Sequence, residues 1–451
     1  MLPFTPALGQ DGAGTPTPSA EETPLEALPE EASEVEQAPA PIDPRILRRE
    51  EEDRRQRIEA LSRTQPQTPK EGDLLAAPDI PKGLLPKRGV KSGGLVYLPS
   101  FSVGALFTDN ANDDVDALDD DVLLGAGAAL RVQTNMRRHQ FGADASATAG
   151  YSIKGVEEDF LDWEAGIDGR FDFNRQNSLN GRITTVLAQE ADSSAEADDN
   201  DDDATLNEIE GDLGYFFGGR TIDLSLNGLV ERQEFSGADT DDRDNTTYTA
   251  STRITRKFGK RLSLFVSPAY AFTEFDEEVG NDGQGRDANA ITGLIGAQYR
   301  PRPRLSIGGA IGYSQAFFED DNVDDNGSVI GSLDLSLAYN SKTDFGLSAG
   351  RELAITTVDG SASDILTSVS AKVVRLLSTR QALVPKITYQ NTEFDGIDRI
   401  DQDLTASLEY FFRLSDHIVF DAGYQYQERF SDDADEEFRE NLGRVGVTII
   451  Y

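Results

Sequence analysis

The chain of 451 residues contains no cysteine, two histidines, one tryptophan and two methionines. Without thiols it forms no disulfide, offers no thiolate to a metal and carries no cysteine nucleophile. His139 lies in "NMRRHQ" and His417 in "RLSDHIV", and only the adjacent Asp416 stands near either as a third member of a Ser-His arrangement. Both are read as solvated turn residues, and no catalytic residue is assigned. Bases are also scarce: 42 Lys and Arg against 81 Asp and Glu leave a net charge of -39. Nucleic acid is thereby excluded as a partner, since a phosphate-binding surface needs clustered Lys and Arg. Finally, no run of about 18 apolar residues encodes a transmembrane helix. That absence leaves a β-barrel open, because a barrel wall needs only segments of about 10 residues with every second side chain apolar.

What is present falls into two regions. "MLPFTPALGQ" has the look of the tail of a secretory signal, with Ala7-Leu8-Gly9 as a small-x-small cleavage pattern. Residues 1–9 are therefore expected to be a signal remnant, the true start to lie upstream, and the mature chain to begin near Gln10. From Gln10 to Gly93 the chain is rich in Pro, Glu, Ala and Thr. Such a composition cannot bury enough apolar surface to offset its ordering entropy, which predicts a disordered extension over 10–93. Within it, "PRILRREEEDRRQRIEALSR" places mixed charges at helical spacing behind Pro44, which predicts a short helix over 45–63.

From Gly94 onward a period of two takes over. In "RTIDLSLNGLV", Ile222, Leu224, Leu226 and Val230 share one face and Asp223, Ser225 and Asn227 the other. "RLSIGGAIGYS", "VIGSLDLSLAY", "DLTASLEYFF", "HIVFDAGYQYQ" and "GRVGVTIIY" read the same way. The connections alternate in kind. Eight are short and carry a base ("NMRRH", "FGGR", "FGKR", "NSKT" among them), and nine are longer and mostly acidic, such as "EADSSAEADDNDDDA" and "EDDNVDDNG". These 17 connections separate 18 strands, with both ends on the short-turn side.

A soluble sandwich does not sort its turns by parity, whereas an outer-membrane barrel does, with short turns in the periplasm and long loops outside. The face opposite the apolar set is small and polar, which suits a water-filled lumen. The fold class predicted is thus an all-β, antiparallel transmembrane β-barrel over 94–451, of 18 strands. The alternative is 16, if "LSAGRELAITT" proves irregular, because Arg351 falls on its lipid-facing parity. Tyr299, Phe412 and Tyr451 fall at the short-turn ends of outward faces, and Tyr270, Tyr313, Tyr389 and Tyr424 toward the loops, as two interfacial girdles require. On the last strand Val447, Ile449 and the terminal Tyr451 share the outward face. That pattern resembles the sorting signal read by the barrel-assembly machinery.

The stretch "PSFSVGALFTDNAND", Pro99 to Asp113, followed by an acidic loop and repeated hairpins through "GRVGVTIIY", resembles the putative β-barrel porin type 2 family of proteobacterial outer membranes. The resemblance implies an outer-membrane barrel of Gram-negative bacteria, some relatives being associated with exopolysaccharide secretion.

The acids offer the first candidate site. "DNANDDVDALDDD" places Asn110, Asn112 and Asp114 at EF-hand spacing, but Val115 stands where the sharp turn needs Gly and Asp121 where a Glu is usual. No metal site and no cofactor is assigned; weak, collective binding of divalent cations to the loops is expected, together with bridging to lipopolysaccharide. Strand parity then turns Arg131, Asp162, Glu164, Asp168, Arg170, Asp172, Arg182, Glu208, Glu210, Asp212, Arg253, Lys372, Glu409 and Asp421 into the lumen as pore-lining residues. Acids outnumber bases among them, so an open lumen should enrich cations, while pairing across strands hydrates the wall. Three roles stay open. They are passive passage of ions or small hydrophilic solutes, a conduit for exopolysaccharide with Phe265 and Phe411 as lumenal aromatics, and a non-conducting surface-interaction barrel tethered to periplasmic proteins.

Overall fold

The computed structural model describes residues 75–451 except 77, 86–88, 112–117, 137, 157–158, 191–203, 238–239, 278–282, 284 and 359. The signal remnant, the helix over 45–63 and the aspartates Asp113, Asp114 and Asp116 lie outside these residues. A short strand β1 (Val90–Ser92) precedes β2 (Leu95–Thr108), β3 (Asp121–Thr134), β4 (Gln140–Ser152), β5 (Phe160–Asp172) and β6 (Asn177–Gln189). Then come β7 (Thr205–Gly218), β8 (Ile222–Ser236), β9 (Asn245–Phe258), β10 (Leu262–Phe275), β11 (Ala288–Arg302) and β12 (Leu305–Phe318). The last seven are β13 (Gly327–Asn340), β14 (Thr343–Ile355), β15 (Ser363–Leu376), β16 (Gln381–Phe394), β17 (Ile400–Arg413), β18 (Ile418–Ser431) and β19 (Phe438–Ile450).

From β2 onward each strand pairs antiparallel with the next, and β19 returns to β2, from Ile450 opposite Ser100 to Leu442 opposite Thr108. The sheet is therefore a closed 18-stranded barrel, which leaves no open edge for lipid to meet. At a spacing of about 4.8 Å and a tilt near 40°, eighteen strands enclose a space roughly 35 Å across between facing backbones. β1 is the one strand outside this count, a hairpin on β2 pairing Val90 with Tyr97 around Gly93. Gly93 has φ 59 and Gly259, in the β9–β10 turn, φ 75, the left-handed region that these two tight turns need.

Alternation decides the faces as expected. Phe101, Val103, Leu124, Leu161, Ile167, Ile183, Leu213 and Ile295 stand exposed on the outside, as do Tyr270, Tyr299, Tyr313, Tyr389, Tyr424 and Tyr451 of the two aromatic girdles. A side chain on the opposite parity points into the barrel. β14 is regular, so the sixteen-strand alternative does not hold. Its outward Arg351 donates from Nη1 to Thr367 Oγ1 at 2.6 Å and lies 3.8 Å from Glu393, all in the half of the wall toward the long loops. Strands of 13 to 15 residues outreach an apolar band about 25 Å tall, so this end of the outer face is polar.

The second difference concerns the N-terminal region, expected to be disordered as far as Gly93. Leu75, Ile80 and Leu84 are buried, and they are buried against inward-facing residues of the barrel. The loops, too, are more than a solvated acidic face. Arg243 is held by both carboxylate oxygens of Glu190 at 2.6 and 2.9 Å, and the buried Arg286 lies 3.7 Å from Asp242. The few bases of the long loops are thus spent on clamping neighbouring loops together.

Candidate functional site

The lumen has two walls of different character. On one, charge runs across four strands. Arg131 of β3 donates to Asp144 of β4 at 2.7 Å and to Asp168 of β5 at 2.8 Å. Arg182 of β6 reaches back to Asp144 at 3.1 Å and to Glu164 at 3.2 Å. The result is a zigzag of three carboxylates and two guanidiniums, with Asp144 as its centre. These side chains keep between 21% and 43% of their exposure, so the ladder faces water. Lower on the same wall Arg170 and Asp172 pair at 2.9 Å, and the backbone N–H of Asp172 donates to His139 Nδ1 at 3.2 Å. Asp162 accepts the N–H of Gln189 at 3.0 Å toward the long-loop side.

Further round the barrel, register places Arg182 opposite Asp212, Glu208 opposite Gln233 and Glu210 opposite Glu231. Lys257 lies 2.7 Å from Asp223, and the Arg253 guanidinium stacks 3.5 Å from the centroid of Phe265. Strand register turns these side chains toward the lumenal side of the wall. Asp144, the centre of the ladder, is absent from the residues expected in the pore, although the alternation of "FGADASATAG" carries it inward as plainly as its neighbours.

The other wall, β15 to β19 with β2 and β3, carries a segment described at residues 75, 76 and 78–85. Leu75 packs with Leu106, Leu123, Phe160 and Leu442, all close to the long-loop ends of their strands. Ile80 and Leu84 pack with Ala382, Val384, Phe411 and Val419, all close to the short-turn ends. The segment thus runs nearly the height of the lumen. Asp79 meets Lys372 at 3.4 Å, beside Lys386, which stands opposite Lys372 in register. Pro78 closes a cleft over Glu409, Asp421, Gln425 and Arg444, and Arg444 pairs with Asp421 at 2.8 Å. Phe411 is 0% exposed, so it is an anchor under this segment and not a surface over which a solute glides.

A rim of buried charge tops this wall. Arg399 holds Asp401 and Glu436 at 2.8 Å each, Arg429 holds Asp403 at 2.8 Å, and Ser431 donates to Asp401 at 2.7 Å. Burial pushes the Glu436 carboxyl above its ordinary range, while Arg399 and Arg429 pull it back. At the seam, Val447, Ile449 and Tyr451 share the outer face, the N–H of Tyr451 donates to Pro99 O at 3.2 Å, and His417 stacks on the Tyr451 ring at 5.0 Å. Among the described residues no cluster of three or more His, Asp or Glu is arranged to hold a metal ion.

Several solved structures match at low identity. The FrpB iron transporter from Neisseria meningitidis (F5-1 variant) matches with a TM-score of 0.48 and 9% identity over 78% of this chain and 66% of its own. OpdL of Pseudomonas aeruginosa matches with 0.42 and 11% over 79% and 99%, and OccK5 (OpdH) of the same organism with 0.43 and 11% over 79% and 98%. No curated protein matches in sequence. The family described as "Putative beta-barrel porin 2" matches residues 86–451, the whole barrel with its β1–β2 hairpin, and the chain belongs to that family.

Proposed function

We propose that the barrel is a channel for passive passage of ions and small hydrophilic solutes across the outer membrane of a Gram-negative bacterium, with the chain termini and short turns on the periplasmic side. The observation that carries this reading is the ladder Asp168–Arg131–Asp144–Arg182–Glu164, a solvated charged wall inside an 18-stranded cross-section. Its surplus of acid over base favours cations through the field it sets up in the lumen. The acidic long loops, facing outward, would gather divalent cations and bridge to lipopolysaccharide, and Tyr451 on the seam would be the mark read by the assembly machinery. The polysaccharide conduit is less well supported, since Phe411 is buried and Phe265 is covered by Arg253.

Single-channel recording of the purified protein in a planar bilayer tests the proposal. Steady conductance with potassium favoured over chloride is the expected result. Silence from a barrel whose gel mobility is still heat-modifiable would leave a surface-display role in its place.

A further inference from the structure

We propose that this segment, residues 75, 76 and 78–85, is a pore-narrowing strap, which sets the cross-section and so the size cut-off of the lumen. The inference rests on the channel reading above. Its ground is the wall beneath the segment. Leu106, Leu123 and Leu442 near one rim, and Ala382, Val384, Phe411 and Val419 near the other, all have lumenal parity yet are apolar and buried. Bare, they would form an apolar track in a water-filled lumen, at a cost proportional to the area left wet. Leu75, Ile80 and Leu84 cover that track at both ends, and Asp79 pairs with Lys372 between them. Two close approaches show that the fit is built. A Cβ on Gly125 would lie 2.9 Å from Leu75 Cβ, and one on Gly83 would lie 2.6 Å from Leu376 Cδ1.

An extended segment on a wall occupies about 10 Å, the distance between packed sheets, of a lumen roughly 25 Å wide between side chains. Release of the strap should therefore raise conductance about 1.5-fold.

The test uses the full chain in planar bilayers, as three forms. Ile80→Asp/Leu84→Asp undocks the strap; it should conduct about 1.5-fold more than the native protein and admit larger neutral polymers. Gly83→Cys/Leu376→Cys supplies the chain's only two thiols; the second change removes the Leu376 Cδ1 that a Cβ on Gly83 would meet at 2.6 Å, and that Cβ would lie 3.5 Å from the Leu376 Cγ position, so oxidation should crosslink the pair and leave conductance at the native level. Ile80→Ala/Leu84→Ala serves where the aspartates block assembly, as a weaker release with a smaller rise. Native conductance from an undocked barrel with intact heat-modifiable mobility overturns the strap, and so does a cysteine pair that stays reduced. A silent native protein that opens on undocking upholds the strap and overturns the passive channel, whereas silence from every form overturns both.

Discussion

A single carboxylate joins the two arginines of the lumenal ladder. Asp144 takes Arg131 on one oxygen and Arg182 on the other, and neither pair is more than partly buried. Pairs of that exposure contribute at most about 1 kcal/mol each. Asp144→Asn, which breaks two such pairs, should therefore change unfolding by no more than about 2 kcal/mol, yet remove a charge from the lumen's field, turning the ladder's net excess of one acid into neutrality. The reversal potential in a potassium chloride gradient should move toward zero; an unchanged potential would mean that ions pass elsewhere. Loops obey the same residue-scale logic. Asp320 accepts the N–H groups of Asn322 at 2.9 Å and Gly285 at 3.0 Å, and these donors hold its carboxyl below the ordinary value of 3.8. Because the folded value is the lower one, the tie between the two loops is complete above 3.8 and is lost as pH falls through the depressed value. Protection of the Gly285 amide from exchange, relative to its intrinsic rate at each pH, should fall on acidification and be low at every pH in Asp320→Ala.

Between elements, the heaviest electrostatic commitment is the rim clamp of β17, β18 and the turn at Ala434–Glu436. Arg399 is 8% exposed and Asp401 1%, so Arg399→Ala strips the guanidinium from a buried carboxylate and leaves it the Ser431 hydroxyl as a donor. Breaking a buried pair from one side costs about 3 kcal/mol or more. The variant should lose heat-modifiable mobility at a distinctly lower temperature, and Arg399→Lys, which lacks the planar fork, should recover only part of the loss. The strap is the element that strand parity left unread. Its trace is there all the same, in "ALV" at 382–384, "YFF" at 410–412 and "IVF" at 418–420, where apolar residues run consecutively in place of alternating. A strand apolar on both faces is covered on both, by lipid outside and here by protein inside. The partner was hidden because "LLAAPDIPKGLL" has the composition of a linker, and only the wall gives Leu75, Ile80 and Leu84 something to bury against.

At the scale of the whole molecule, parity was enough for the strand count and the closure. The period of two, with eight short turns and nine long loops, has one regular solution, and β14 fits it because Arg351 finds Thr367 and Glu393 above the apolar band. The long loops were legible as acidic but not as architecture. A sequence shows that acids outnumber bases; it does not show that Arg243, Arg286 and Arg399 are drawn inward, which leaves the outer surface more acidic than the composition of each loop suggests. With 81 acids against 42 bases in the chain, mutual repulsion across that face is a cost shared by many side chains. Millimolar calcium and magnesium should relieve it alike, raising the temperature at which gel mobility changes, and a chelator should lower it by a few degrees, about what 1 kcal/mol is worth in a protein of this size. Asp113→Asn/Asp114→Asn/Asp116→Asn, at positions outside the described residues, should reproduce only a small part of the chelator's effect. If that triple variant abolished the whole response, or if calcium acted at micromolar concentration where magnesium did not, the charge of the first loop would be a dedicated site and the collective account would fall.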